Sequence, residues 1–162
     1  MRVIGIDPGL TVTGFGVIDA DGDTTVYVAH GVIRTNAKAP LVERLQEIHD
    51  GIRDVAIEVR AASAAIEDTF VGNNARSAML LGHARAAAIL ALSSRGIEIA
   101  EYSPAMVKQS VAGYGRSEKE QVARMVAFQL GLAELPGPLD ASDALAIAIT
   151  HWAQSRFSAR LS

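Results

Sequence analysis

Apolar positions along the chain change period once, and that change divides it into a strand-rich opening and a helix-rich remainder. Residues 2–7 are mostly apolar and β-branched, and they stop at the turn pair Pro8-Gly9, which predicts a first strand. Residues 13–20 and 24–33 predict two more, joined by a hairpin at Asp21-Gly22-Asp23. From Pro40 to Arg60 the apolar residues Leu41, Leu45, Ile48, Ile52 and Val55 recur at helical spacing, with Pro40 suited to the first turn. Residues 64–67 form a short buried strand. A long Ala/Leu-rich helix follows, capped by Asn73 or Asn74 and ending near Ser94 before Gly96.

A fifth strand is expected over residues 97–102, and helices fill the rest. Ser103-Pro104 opens one, Ser117 with Glu120 forms a capping box for another, and Asp140 begins the last. Strand order and short turns predict an α/β fold: an antiparallel three-strand meander plus two parallel strands, flanked by helices. The expected organisation is one domain over residues 1–157 and a short tail over 158–162, with Leu135-Pro136-Gly137-Pro138 as the one strong internal break.

Composition narrows the classes. A chain of 162 residues, 49% hydrophobic and 20% charged, describes an ordinary globular domain. It has no cysteine, which excludes disulfides and thiolate metal sites and fits the cytoplasm. No apolar run approaches the ~20 residues of a membrane span, so no membrane role is expected. The net charge of −3 argues against nucleic acid, but its distribution argues otherwise. Residues 69–129 carry seven Lys/Arg against four acids, and no acid occurs over 69–97.

The candidate chemistry lies in the carboxylates. Asp7 ends the first strand and Glu67 the fourth, so parallel neighbours would present both at one sheet edge, where ligands of open α/β sheets gather. Asp140 and Asp143 share one face of a helix start, and the apolar helix they begin must pack on the sheet. Each feature alone reads as a turn, a solvated strand end or a helix cap. Together they form a repelling cluster that a hard divalent cation would satisfy. Two such ions about 4 Å apart suit phosphodiester hydrolysis.

Several blocks resemble the RuvC-type Holliday-junction resolvases of the ribonuclease-H-like superfamily. They are Ile4-Gly5-Ile6-Asp7-Pro8-Gly9 with Thr13-Gly14-Phe15-Gly16, Ala65-Ile66-Glu67 with Phe70 and Asn73-Asn74, Val107-Lys108-Gln109, Glu118-Lys119, and residues 140–151. The resemblance implies a ribonuclease-H-like fold and a homodimer that nicks a four-way DNA junction symmetrically, leaving 5′-phosphates and 3′-hydroxyls. It implies two Mg2+ per subunit, with Mn2+ able to substitute, held by Asp7, Glu67, Asp140 and Asp143. It assigns base stacking to Phe70 and backbone contacts to Lys108 and Lys119, and it implies cooperation with a RuvA–RuvB branch-migration complex. Some relatives carry histidine in place of the first acid of the final pair, the position of Asp140.

Phe70 would either stack on unpaired bases or close over the sheet edge. Arg76 and Asn73 are further candidate DNA contacts, Asn73 equally a helix cap. Asp68, directly after Glu67, should face away by strand alternation. The helix over 74–94, small and apolar all round, implies burial on two sides, by a partner or within the monomer. His30, His49, His83 and His151 lack ligand spacing, and His151 reads as structural. Two other functions fit parts of the chain. A related nuclease of RNA precursors would share the acids and metals but lack the 107–119 region and Phe70. An actin- or sugar-kinase-like ATPase would open like Asp7-Pro8-Gly9-Leu10-Thr11 but needs a second domain, for which 162 residues leave no room.

Overall fold

A computed structural model describes residues 1–68 and 74–161. Phe70 and Asn73, two of the expected DNA contacts, lie outside the described residues. The strands are β1 (Arg2–Asp7), β2 (Val12–Asp21), β3 (Thr24–Arg34), β4 (Ser63–Glu67) and β5 (Glu98–Tyr102). They form one mixed sheet in the order β3-β2-β1-β4-β5. β1–β2 and β2–β3 pair antiparallel, while β1–β4 and β4–β5 pair parallel, as the meander-plus-crossover reading predicts.

The helices are α1 (Leu41–Glu58), α2 (Ala75–Ser93), α3 (Pro104–Ala112), α4 (Lys119–Gln129) and α5 (Leu139–Leu161). Strand alternation sorts the β1 side chains onto two faces. Ile4 and Ile6 point to one face, where Ile48 and Ile52 of α1 and Ala88 and Leu92 of α2 close a fully buried core. Val3 points to the other, where Leu145 and Ile149 of α5, Val107 of α3 and Val126 of α4 close a second core. Asp7 therefore shares its face with α5.

Local signals account for most boundaries. Asn74 caps α2 by accepting the amides of Arg76 and Ser77, which settles the choice between the two asparagines. Ser103 caps α3 by accepting the Met106 amide, with Pro104 in its first turn. The expected capping box at Ser117 does not form. Glu118 takes the cap position without a side-chain bond, and the Ser117 hydroxyl donates to the Tyr114 carbonyl at 2.7 Å, within the preceding turn. The segment after residue 157, expected as a tail, continues α5 as far as Leu161.

Candidate active site

The sheet brings the first two acids together. β1 and β4 run parallel with Ile6 opposite Ile66, so Asp7 and Glu67 follow at the same carboxyl-terminal edge. Alternation puts them on the face that α5 covers, and it turns Asp68 to the other side. There Asp68 lies 3.8 Å from Arg85 of α2. Arg85 also pairs with Glu101 and donates from Nε to the Glu67 carbonyl, anchoring the end of β4 from behind. The neighbouring acid thus has its own counter-ion outside the site.

The second pair of acids arrives because three glycines let α5 touch the sheet. Gly5 on β1 and Gly14 and Gly16 on β2 face α5, with Gly14 opposite Asp7 and Gly16 opposite Gly5. A first side-chain carbon at Gly5 would stand 2.1 Å from the Ala144 carbonyl oxygen. At Gly14 it would stand 2.0 Å from the Asp140 carbonyl oxygen, and at Gly16 2.5 Å from the Leu145 nitrogen. Hydrogen is the only substituent that fits, so the first turns of α5 lie against backbone. The Pro138 carbonyl accepts the Ala141 and Ser142 amides as the helix starts. The His30 imidazole bonds the Gly137 carbonyl at 3.2 Å, tying the preceding loop to β3.

The result is a pocket of about 220 Å³ lined by Asp7, Glu67, Asp143, Lys108 and Lys119, with Val107 and Val122 among its apolar walls. Asp140, in the first turn of α5, is outside that lining but close enough to act on Asp7. Burial, followed by repulsion from Asp143, Glu67 and Asp140, pushes the Asp7 carboxyl up to about 8, with Lys119 opposing. Burial and Asp143 likewise raise the Glu67 carboxyl above its ordinary value, against the pull of Lys119 and Lys108. Lys119 donates to Asp143 Oδ2 at 3.1 Å, and that bond holds its ammonium above the usual lysine value. Three acids and two lysines therefore share one small volume.

The donor chemistry fits a hard divalent cation: oxygen ligands only, excess negative charge, and room for water and phosphate oxygens. Asp7, Glu67, Asp143 and Asp140 are the side chains that could hold it. Among the described residues, no three His, Asp or Glu side chains are already drawn together as a ligand set. The acids stand apart around the pocket, and Lys119 is their counter-ion.

The other expected residues fall around this centre. Lys108 and Lys119 stand over the acids from α3 and α4, and Arg76 is exposed in the first turn of α2, which begins beyond the same strand ends. His151 is structural: its ring bonds Ser63 Oγ at 2.7 Å and the Tyr102 hydroxyl at 2.8 Å, pinning α5 to β4 and β5. Sequence reasoning misses the three glycines. The alternation of Gly14-x-Gly16 on one strand face is the only signal that could reveal them.

Comparison with known proteins identifies the family. The model of the family described as crossover junction endodeoxyribonuclease RuvC matches residues 3–151. The chain is 53% identical to the crossover junction endodeoxyribonuclease RuvC of Burkholderia thailandensis, over 93% of this chain and 83% of that one. It is 46% identical to the one from Chloroflexus aggregans, over 93% of this chain and 92% of that one. The structure of Thermus thermophilus RuvC in complex with a Holliday junction substrate superimposes with a TM-score of 0.92 at 37% identity, covering 98% of this chain and 96% of that one. The chain belongs to the crossover junction endodeoxyribonuclease RuvC family.

Proposed function

We propose that this chain is a Holliday-junction resolvase that hydrolyses phosphodiester bonds at the carboxyl-terminal edge of its sheet. The observation that carries the reading is the convergence of Asp7, Glu67 and Asp143, with Asp140 beside them, on one lysine-lined pocket. Four-way junction DNA is the substrate, as in the related Thermus thermophilus complex.

Asp7, Glu67, Asp140 and Asp143 would hold Mg2+, two ions per subunit, with Mn2+ able to substitute. When bound, the metal supplies an activated water and stabilises charge on the phosphate. The chain's own residues do the rest. Lys119 and Lys108 place positive charge beside the scissile phosphate, lowering the cost of bringing a phosphate oxygen among four acids. The apolar walls from Val107 and Val122 exclude bulk water and strengthen these interactions. Water adds to phosphorus as the bond to the 3′ oxygen breaks, leaving a 5′-phosphate and a 3′-hydroxyl. Phe70, following Glu67 by three residues, stacks on an unpaired base at the junction centre, Arg76 contacts phosphate, and Asn73 is a further DNA contact.

Two like-polarity nicks need two active sites, so the working unit is a homodimer. Exposed Val42 of α1 and Leu90 of α2 line a groove between these helices, on the face away from the acids, and support that assembly. The enzyme acts in the cytoplasm with a RuvA–RuvB branch-migration complex. Incubation with a mobile four-way junction, linear duplex and single-stranded RNA, with and without Mg2+, tests the substrate. Paired symmetric nicks in the junction alone, dependent on Mg2+, are expected. Equal cleavage of duplex or RNA would refute it.

A further inference from the structure

Several arginines of this protein are matched to a carboxylate: Arg2 to Asp19, Arg53 to Asp50 and Asp54, Arg85 to Glu101. Other described cations have no such partner, and three of them fall together at the corner between β3 and α1. Arg34 ends β3, Lys38 lies in the turn and Arg44 sits in the first turns of α1, and among the described residues none of the three has an ion-pair partner. Arg44 is nonetheless fixed. Its Nε donates to Thr35 Oγ1 at 2.9 Å and its Nη2 to Thr11 Oγ1 at 3.1 Å. The Thr35 hydroxyl donates in turn to the Leu10 carbonyl. A guanidinium held in place by neutral oxygens keeps its full charge and its remaining donors for something else.

The topology says where that charge lies. β3 runs parallel to β1, with β2 between them, so β3 ends at the edge where Asp7 ends. In the ladder, Arg34 pairs with Val12, two residues from Gly14, which pairs with Asp7. Alternation therefore puts Arg34 on the same face as Asp7. Two strand spacings separate β3 from β1, about 10 Å. That span is short enough for one stretch of backbone to touch both the corner and the acids. Thr11 and Leu10 belong to the loop that follows Asp7, so the same bonds that fix Arg44 also fix that loop.

We infer that Arg34, Lys38 and Arg44 form a phosphate-binding corner that grips the DNA backbone on the side of the acids opposite Lys108 and Lys119. This rests on the proposed junction substrate. The backbone enters over an edge with cations on both flanks and acids between, and the corner sets the register of the strand relative to the scissile phosphate.

The test is a salt titration of junction binding in the cleavage-blocked Asp7→Asn protein, with cleavage by the otherwise native protein measured alongside. Neutralising Arg34 and Lys38 together (R34A/K38A) should reduce the slope of log affinity against log salt by about 0.9 per lost contact. Affinity should fall by roughly one to two orders of magnitude at ~0.1 M salt. Arg44→Gln should lose one contact, and Arg44→Lys, which keeps the charge, should restore the slope even where the loop loosens. Arg60→Ala/Arg95→Ala, at the opposite edge, should leave it unchanged. If native protein cleaves junctions while R34A/K38A and Arg44→Gln keep full affinity and slope, the corner binds no phosphate and the inference falls alone. If native protein neither binds nor cleaves junctions, the resolvase reading falls and takes the inference with it.

Discussion

A side chain at Gly14 would place its first carbon 2.0 Å from the backbone oxygen of Asp140, so the strand opposite Asp7 and the helix bearing Asp140 meet backbone to backbone. That contact sets the distance between the two halves of the acidic cluster. Gly14→Ala must push the start of α5 outward. We expect about 1–3 kcal/mol lower stability, and roughly a hundredfold or greater loss of junction cleavage because Asp140 and Asp143 move with the helix. Thermal unfolding and single-turnover cleavage of the same variant check both. Cleavage unchanged would show that the close approach does not position the acids.

Lys119 is the cation that Asp7, Glu67 and Asp143 share. Lys119→Ala removes a charge that lowers both raised carboxyls, so Asp7 and Glu67 should hold their protons to higher pH. The acid limb of the rate–pH profile should move upward, with a loss of roughly a hundredfold at neutral pH. A profile that keeps its limb would separate Lys119 from the acids.

The raised Asp7 carboxyl also predicts a stability trend in chelator. The folded protein holds this proton up to about pH 8, whereas the group's ordinary value is 3.8. Between those limits the folded state binds more protons than the unfolded state, so stability falls as pH rises through the window. Asp7→Asn lacks the group. Its melting temperature should equal that of the native protein near pH 4 and exceed it increasingly towards pH 9, by roughly 2–4 °C per kcal/mol relieved. Mg2+ should narrow the gap, since it favours the ionised carboxylate. A gap independent of pH would mean that Asp7 is not perturbed.

His151 joins α5 to β4 and β5 through Ser63 and Tyr102, and burial holds its pKa below the usual histidine value. The depressed value means its contribution is present above the unfolded pKa and is lost as pH falls through the folded one. His151→Phe should cost about 1–3 kcal/mol at neutral pH, and the difference from native should shrink on acidification. Urea unfolding at pH 7.5 and pH 5 measures it. An equal difference at both pH values would contradict the neutral, bridging imidazole.

A good part of this is legible in the chain itself. β1 and β4 show because β-branched or apolar runs end at acids beside turn or loop residues, and their parallel pairing follows from the helix α1 between them. Asp140 and Asp143 show through their spacing in an apolar helix. The reach of α5 does not, since a glycine in a strand does not say which element will cross over it. The Ser117 box fails because its hydroxyl finds the Tyr114 carbonyl within its own turn, a competition that spacing cannot rank. Arg44 stays silent for a similar reason: its value comes from which oxygens hold it, and Thr11 is distant in sequence.

The proposed function makes Asp7, Glu67, Asp140 and Asp143 one catalytic cluster. Single-turnover cleavage of a four-way junction by Asp7→Asn, Glu67→Gln, Asp140→Asn and Asp143→Asn, at saturating Mg2+ and with junction binding measured in parallel, tests this most directly. Each variant should bind the junction and cleave it at least roughly a thousandfold more slowly than native protein. Any of the four cleaving within about tenfold of native would remove that residue from the cluster, and Asp7→Asn doing so would overturn the assignment of the site.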